Sequence, residues 1–213
     1  NVLGKKSRKR TYDVLRCTFM PRYINGYPKG HWIYLKKLIE ANVLSSIIDP
    51  ILYFYTAVNE PLVSDFVTKF LLPNYKKGIL EVSSDNVRNF IKDGIKNKTI
   101  PVSWSDAVTY RVASGIYAAL TEFKIIEGKR KRKISSSIIP IQVFYYIAFF
   151  ISKEVSSSKE IINHNYWKLF LLNNVEIEHL FLEAHQDKYL TYEQLGSIKR
   201  INFFEKTFEE AVN

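Results

Sequence analysis

With 46% hydrophobic and 15% aromatic content over 213 residues, the chain carries enough apolar material to bury a core, which excludes a disordered protein and any need for covalent staples. A single cysteine, Cys17, excludes an intrachain disulfide and a cysteine-based metal cluster and fits a reducing, cytoplasmic setting. The formal net charge of +10 leans toward polyanions: DNA, RNA or an anionic surface.

The chain opens on a basic arm over residues 1–10, where Lys5, Lys6, Arg8, Lys9 and Arg10 leave nothing to bury. Residues 12–22 carry Asp13 and Arg16 and so lack the apolar core of a signal peptide. Trp32, Leu35, Leu38, Ile39 and Val43 recur at helical spacing. Pro50 is expected to open a short aromatic helix through Leu52, Tyr53 and Tyr55. Asn59 and Pro61 read as a helix start, with Leu62, Val63, Phe66, Val67, Phe70 and Leu71 on one face and Pro73 as its stop.

Ser83, Ser84 and Asp85 cap a further helix that turns Val87, Phe90, Ile91 and Ile95 inward and ends over residues 96–98. Ser105 and Asp106 cap the next. Its predicted buried stripe is Val108, Val112, Ile116, Ala119, Leu120 and Phe123. Its predicted outer face is Tyr110, Ala113, Ser114, Tyr117 and Thr121, with Arg111 at the flank. Residues 123–127 then read as a strand, Gly128 as a turn, Lys129, Arg130, Lys131, Arg132 and Lys133 as a cationic tip, and residues 134–139 as the returning strand.

The apolar run over residues 138–151 is about 14 residues long, short of the roughly 20 that cross a bilayer, and predicts a buried core helix opened by Pro140. The serines at 156–158 close it and mark a boundary. Residues 166–172 predict an apolar helix, followed by one capped at Asn174 that buries Ile177, Leu180, Phe181 and Ala184. Residues 189–192 and 197–203 are β-rich and separated by a turn at Leu195 and Gly196; residues 204–212 predict a closing helix. The expected fold is therefore mainly α, with two small β-hairpin wings in winged-helix-like units. The expected organisation is an arm (1–10), a helical domain with a winged-helix-like unit (11–155), and a C-terminal helical unit with a second hairpin (156–213).

A short helix followed by a cationic hairpin suits a module that lays the helix in a groove and the hairpin on the adjoining backbone. Lys129, Arg130, Lys131, Arg132 and Lys133 are the candidate phosphate contacts. Tyr110, Arg111 and Ser114 are the candidates on the helix, and Lys199 and Arg200, beside Ser197, are secondary ones. A solvated basic loop is the plain alternative for the first hairpin. A structural hairpin built on Tyr192, Ile198, Ile201 and Phe203 is an equal alternative for the second. Most of the 14 Tyr and 14 Phe residues fall at core spacing, so packing accounts for them better than base stacking does.

Signals for chemistry are missing from the sequence. Gly26, Gly30 and Gly128 stand singly, without the lysine and serine of a phosphate-cradling loop. Glu176 with Glu178, and Glu209 with Glu210, sit at spacings that face apart on a helix, so no acid–base pair is indicated. Cys17 has no nearby histidine in a nucleophile motif; the four histidines, His31, His164, His179 and His185, are scattered, and the last two, six apart, do not share a helical face. The expectation is a non-catalytic protein with no metal, no cofactor and no small-molecule substrate.

Trp104-Ser105-Asp106, the run Arg111-Val112-Ala113-Ser114-Gly115-Ile116, Leu120-Thr121-Glu122-Phe123 and the basic hairpin resemble the BrxA family of bacteriophage-exclusion (BREX) defence loci. So do Trp167-Lys168-Leu169-Phe170-Leu171, Val175-Glu176, Glu183-Ala184, and Tyr192 with Gly196-Ser197-Ile198-Lys199-Arg200-Ile201. The resemblance covers about residues 60–212, and the first 60 carry no matching motif. It implies a cytoplasmic, mostly helical accessory protein, comparable with the RNA-binding factor NusB and with winged-helix DNA binders. It also implies work alongside other BREX proteins rather than catalysis. Double-stranded DNA is the expected partner, with a NusB-like RNA-binding role or a protein-interaction scaffold within the defence complex as alternatives. The 138–151 segment gives no support for membrane attachment.

Overall fold

A computed structural model describes residues 4, 7–129, 131–135, 139–196 and 198–204. In chain order it shows α1 (Arg8–Val14) with a π-helical continuation (Leu15–Ile24), α2 (Trp32–Glu40), α3 (Ser45–Asn59), α4 (Pro61–Phe66), a π-helical stretch (Val67–Leu71), α5 (Leu72–Lys76), β1 (Glu81–Val82), α6 (Ser84–Lys96) and α7 (Asp106–Glu122). There follow β2 (Ile126–Glu127), β3 (Arg132–Ile134), α8 (Ile141–Ser152), α9 (Ser158–Ile162), a 3-10 helix (Asn165–Phe170), α10 (Asn174–Gln186), β4 (Leu190–Leu195) and β5 (Ile198–Phe203). The protein is mainly helical with two small antiparallel sheets, one of order β1-β3-β2 and one of β4-β5. Of the predicted closing helix, only Phe204 lies within the described residues.

The chain divides into two compact units. One contains Asn1–Glu60, Ile139–His164 and Asn174–Asn213; the other contains Pro61–Ile138 and Asn165–Asn173. The serine run at 156–158 falls inside the first unit, where Ser157 caps α9 through a reciprocal bond with Glu160.

The first unit is built around α8, in which every residue from Val143 to Ile151 is buried. A helix that is apolar on all sides needs partners on all sides. Phe150 meets Phe54 of α3 edge to face at 5.2 Å, Phe144 meets Phe181 of α10 at 4.7 Å, and Phe149 meets Phe203 of β5 at 5.4 Å. Each ring so buried contributes roughly 1.5–3 kcal/mol. Among the described residues no helix is long and apolar enough to cross a membrane.

The second unit closes Phe66, Phe70 and Phe90 into one ring cluster, with Phe66 and Phe70 stacked at 4.9 Å. Val87, Ile91, Ile116, Leu120, Ile125, Ile126 and Ile134 are buried in the same unit.

Several predicted boundaries are corrected. Arg8, Lys9 and Arg10 belong to the first turn of α1, capped by the Ser7 side chain, rather than to a free arm. Pro50 does not open a helix: α3 begins at Ser45 and Pro50 lies in its second turn, where its missing N–H removes one ladder bond without ending the helix. Pro73 does not end one either. The π-helical stretch before it has the Leu72 amide reaching back to the Val67 carbonyl, and the wider turn admits the proline ring so that helix continues to Lys76. The run at 166–172 forms a 3-10 helix rather than an α-helix, and Leu171, with φ of +59°, terminates it.

His31 in the first unit has no solvent exposure. Its ring stacks on Tyr55 at 4.1 Å, its Nδ1 lies 2.6 Å from the Pro28 carbonyl, and its buried Nε2 has no partner among the described residues. Burial holds its pKa below the ordinary 6.5, and burial likewise lowers that of His164, against the pull of Glu154. The unfolded chain therefore takes up these protons first. Their contribution to stability is complete above about pH 6.5 and is lost as pH falls through the depressed folded values. Denaturant titrations from pH 7.5 to 5 are expected to show falling stability, and His31→Phe, which keeps a stacking ring, is expected to make the decline shallower.

Candidate nucleic-acid interface

In the second unit the order helix, β1, α6, α7, β2, wing, β3 is that of a winged helix, and it grows from local chemistry. Ser83 caps α6 in a reciprocal box with Asn86, and Ser105 caps α7 by accepting from the Val108 amide. The Lys92 ammonium, 2.8 Å from Asp106, ties α6 to the first turn of α7 and holds the Asp106 carboxyl below its usual range. α7 then leads through a tight connection into β2. β3 pairs with β2 on one side (Ile126 with Ile134, Glu127 with Lys133) and with β1 on the other (Val82 with Arg132, Glu81 with Lys133). The strand β1 was not predicted; two residues give too short a run for alternation to be visible in sequence.

The observed face of α7 is rotated from the predicted one. Its buried residues are Thr109, Ala113, Ile116 and Leu120, so Ala113 belongs to the core and not to the outer face. Val108, Val112 and Ala119 are only half-buried. The exposed side carries Ala107, Tyr110, Arg111, Gly115 and Ala118, with Ser114 half-buried beside them. Tyr110 is 58% exposed, and the Arg111 Nε lies 3.4 Å from the Ala107 carbonyl, a long contact along its own helix.

The cationic run is divided by the strand. Lys129 and Lys131 flank the tip and are exposed; Arg130 lies outside the described residues. Arg132 and Lys133 are in β3 and not in the turn. With side chains alternating across a strand, Lys133 faces solvent while Arg132 shares the inner side with buried Ile134. There the Arg132 guanidinium lies over the Tyr117 ring at 4.7 Å, and its Nη1 donates to Thr121 Oγ1 at 2.6 Å. Lys131 approaches Glu81 at 3.6 Å, with both side chains well exposed. An exposed ion pair of that kind contributes little, so Lys131 stays available to an anion. Glu81, Val82, Ser83, Asn86, Tyr117, Lys131 and Arg132 line a half-open cleft of about 230 Å³ between the start of α6 and the wing.

Tyr117 and Thr121, predicted on the outer face, are half-buried and hold the wing instead. The available signal was their four-residue spacing on α7 combined with the two-residue spacing of Arg132 and Ile134. Of the secondary candidates, Lys199 is half-buried and bonded to Glu178 of α10, whereas Arg200 is exposed and faces Glu193 across the hairpin. Ser197 lies outside the described residues. Both lysine and arginine belong to the first unit, while Tyr110, Arg111, Ser114 and the wing cations belong to the second. Among the described residues no group of three or more His, Cys, Asp or Glu side chains is placed to hold a metal ion.

The sequence profile of the family described as BrxA matches residues 1–149, 149 of the 213 in the chain. The chain belongs to the BrxA family. The match includes the whole of α6, α7 and the wing. It also includes the first 60 residues, for which no motif was recognised in the sequence, and stops before the motifs noted at 167–201. Membership in the BrxA family gives the chain a BREX-associated role. No curated protein and no solved structure matches the chain.

Gly128 sets the shape of the wing. Its φ is +127°, and a Cβ at this position would lie 2.5 Å from the Lys131 carbonyl oxygen. Gly128→Ala is expected to cost about 1–3 kcal/mol and to speed hydrogen exchange at the amides of β2 and β3, measured by denaturation and by exchange mass spectrometry.

Proposed function

We propose that this protein is a non-catalytic, double-stranded DNA-binding accessory component of a BREX phage-defence system. The observation that carries the proposal is the winged-helix order of the second unit, with Lys129, Lys131 and Lys133 exposed on the wing beside an α7 that exposes Tyr110 and Arg111. A helix fits the roughly 12 Å width of the major groove, and the small Gly115 and Ala118 on its exposed side let its backbone come close. Tyr110 lies about 10 Å along α7 from Tyr117, where the wing is attached. Groove and backbone contacts are thus offered by one rigid element and its neighbour.

The side chains on offer favour phosphate contact over base reading. Lysines are point charges suited to a phosphate backbone, and Tyr110, Arg111 and Ser114 carry the hydroxyl and guanidinium donors nearest the groove. Affinity is then dominated by counterion release, and specificity is low. Arg200, exposed on β5, is a secondary contact.

Fluorescence anisotropy with duplex DNA, single-stranded DNA and RNA over a salt series tests this. The wild-type protein is expected to prefer duplex DNA. The triple change Lys129→Gln, Lys131→Gln and Lys133→Gln is expected to reduce the slope of log K against log salt by about 2–3. An unchanged affinity and slope removes the wing as the contact. Preference for RNA supports a NusB-like role, and negligible binding of either nucleic acid near physiological salt supports a protein-interaction scaffold within the defence complex.

A further inference from the structure

We infer that Arg132 is a positioning residue that braces the wing against α7, and not one of the phosphate contacts among which its sequence neighbours stand. Four features of the second unit converge on it. Strand alternation places it on the same side as buried Ile134 and opposite to exposed Lys133. Its guanidinium covers the face of Tyr117 at 4.7 Å. Its Nη1 donates to Thr121 Oγ1 at 2.6 Å, and the Thr121 hydroxyl in turn donates to the Tyr117 carbonyl at 2.8 Å, so the acceptor is itself held in place. Finally, the Tyr117 hydroxyl donates at 3.2 Å to the carbonyl of Val82, the residue paired with Arg132 across β1 and β3. Arginine, aromatic ring, threonine and strand thus form a closed circuit joining the sheet to the C-terminal half of α7.

A guanidinium suits this work and an ammonium does not. The planar group stacks on a ring while donating in its own plane, whereas lysine keeps the charge but loses both the stack and the fixed donor direction. Charge retention and geometry are therefore separable by substitution. The role in affinity rests on the DNA-binding function proposed above; the bracing of the wing does not.

The test compares Arg132→Lys, Arg132→Gln and Thr121→Val with Lys133→Gln by exchange mass spectrometry on β2 and β3 and by duplex-DNA titration against salt. Arg132→Lys and Arg132→Gln are both expected to speed wing exchange about tenfold and to weaken DNA binding about tenfold, the loss of one charge-assisted bond and one ring contact. The salt slope is expected to stay unchanged in both. Thr121→Val, which keeps the arginine, is expected to move exchange in the same direction by a smaller factor, and it carries the test if the arginine variants fold poorly. Lys133→Gln is expected to leave exchange alone and reduce the slope by about 0.9. The inference is overturned if Arg132→Lys matches wild type in exchange and affinity, or if Arg132→Gln lowers the slope by about one with exchange unchanged. Should the wild-type protein bind no duplex DNA, the DNA-binding proposal fails, and wing exchange in the same variants still decides the bracing role.

Discussion

A two-stranded hairpin is marginal by itself in water, because its apolar side has nothing to rest on and its outer edges remain unpaired. The wing of this protein persists because β3 is paired on both sides and its inner residues lean on α7. The third strand is only Glu81–Val82, yet it changes β3 from an edge into a centre. Its Val82 carbonyl then receives the Tyr117 hydroxyl, so sheet and helix are joined through a side chain as well as through packing. The placement of Lys131, Arg132 and Lys133 follows from this closure.

Five cations in succession look like a single patch of charge, and the strand divides them. Alternate side chains lie about 7 Å apart along an extended chain, where two charges in water repel by only about 0.6 kcal/mol. That cost is small enough for Lys131 and Lys133 to remain together in solvent, with Glu81 close by. Arg132 is half-buried on the inner side, where a guanidinium partly withdrawn from water is costly unless it is bonded. The Tyr117 face and the Thr121 oxygen meet that need. A run of like charges thereby divides into outward-facing lysines and an arginine turned toward α7.

The first unit obeys a different constraint. Its central helix α8 is buried over nine successive residues, Val143 to Ile151, so α3, α10 and the β4–β5 hairpin must each present aromatic rings to it. The hydroxyls of Tyr55 and Tyr146 satisfy each other inside this core, and burial raises the pKa of both. Near them Asn59 bonds to Arg22, Tyr27 and Tyr55, using its side chain to fasten the end of the π-helical continuation of α1 and the residues just after it to the end of α3. In sequence Asn59 reads as the cap of the next helix; in the fold its amide serves Arg22 and Tyr27, distant along the chain, as well as Tyr55 one turn back.

By itself the sequence determined the mainly helical class, the helices led by Ser83 and Ser105, the buried segment around residues 138–151 and the existence of both hairpins. These are local matters of capping, periodicity and turn chemistry, decided within a few residues. The strand bounds of the first hairpin were not among them: Phe123 and Lys124 lie in a turn, β3 runs Arg132–Ile134, and residues 136–138 of the expected returning strand lie outside the described residues. The sequence also carried enough of the BrxA pattern in α7 and the wing to name the family. Tertiary structure decided the rest. Helical spacing alone left the orientation of α7 uncertain by one position, enough to place Ala113 outside when it is buried. Pro50 and Pro73 read as boundaries because the local rule has no knowledge of the turns that accommodate them. The division of the cationic run into solvent-facing lysines and an inward arginine required β3 to have a helix on one side, and only a contact between residues far apart in the chain could supply it.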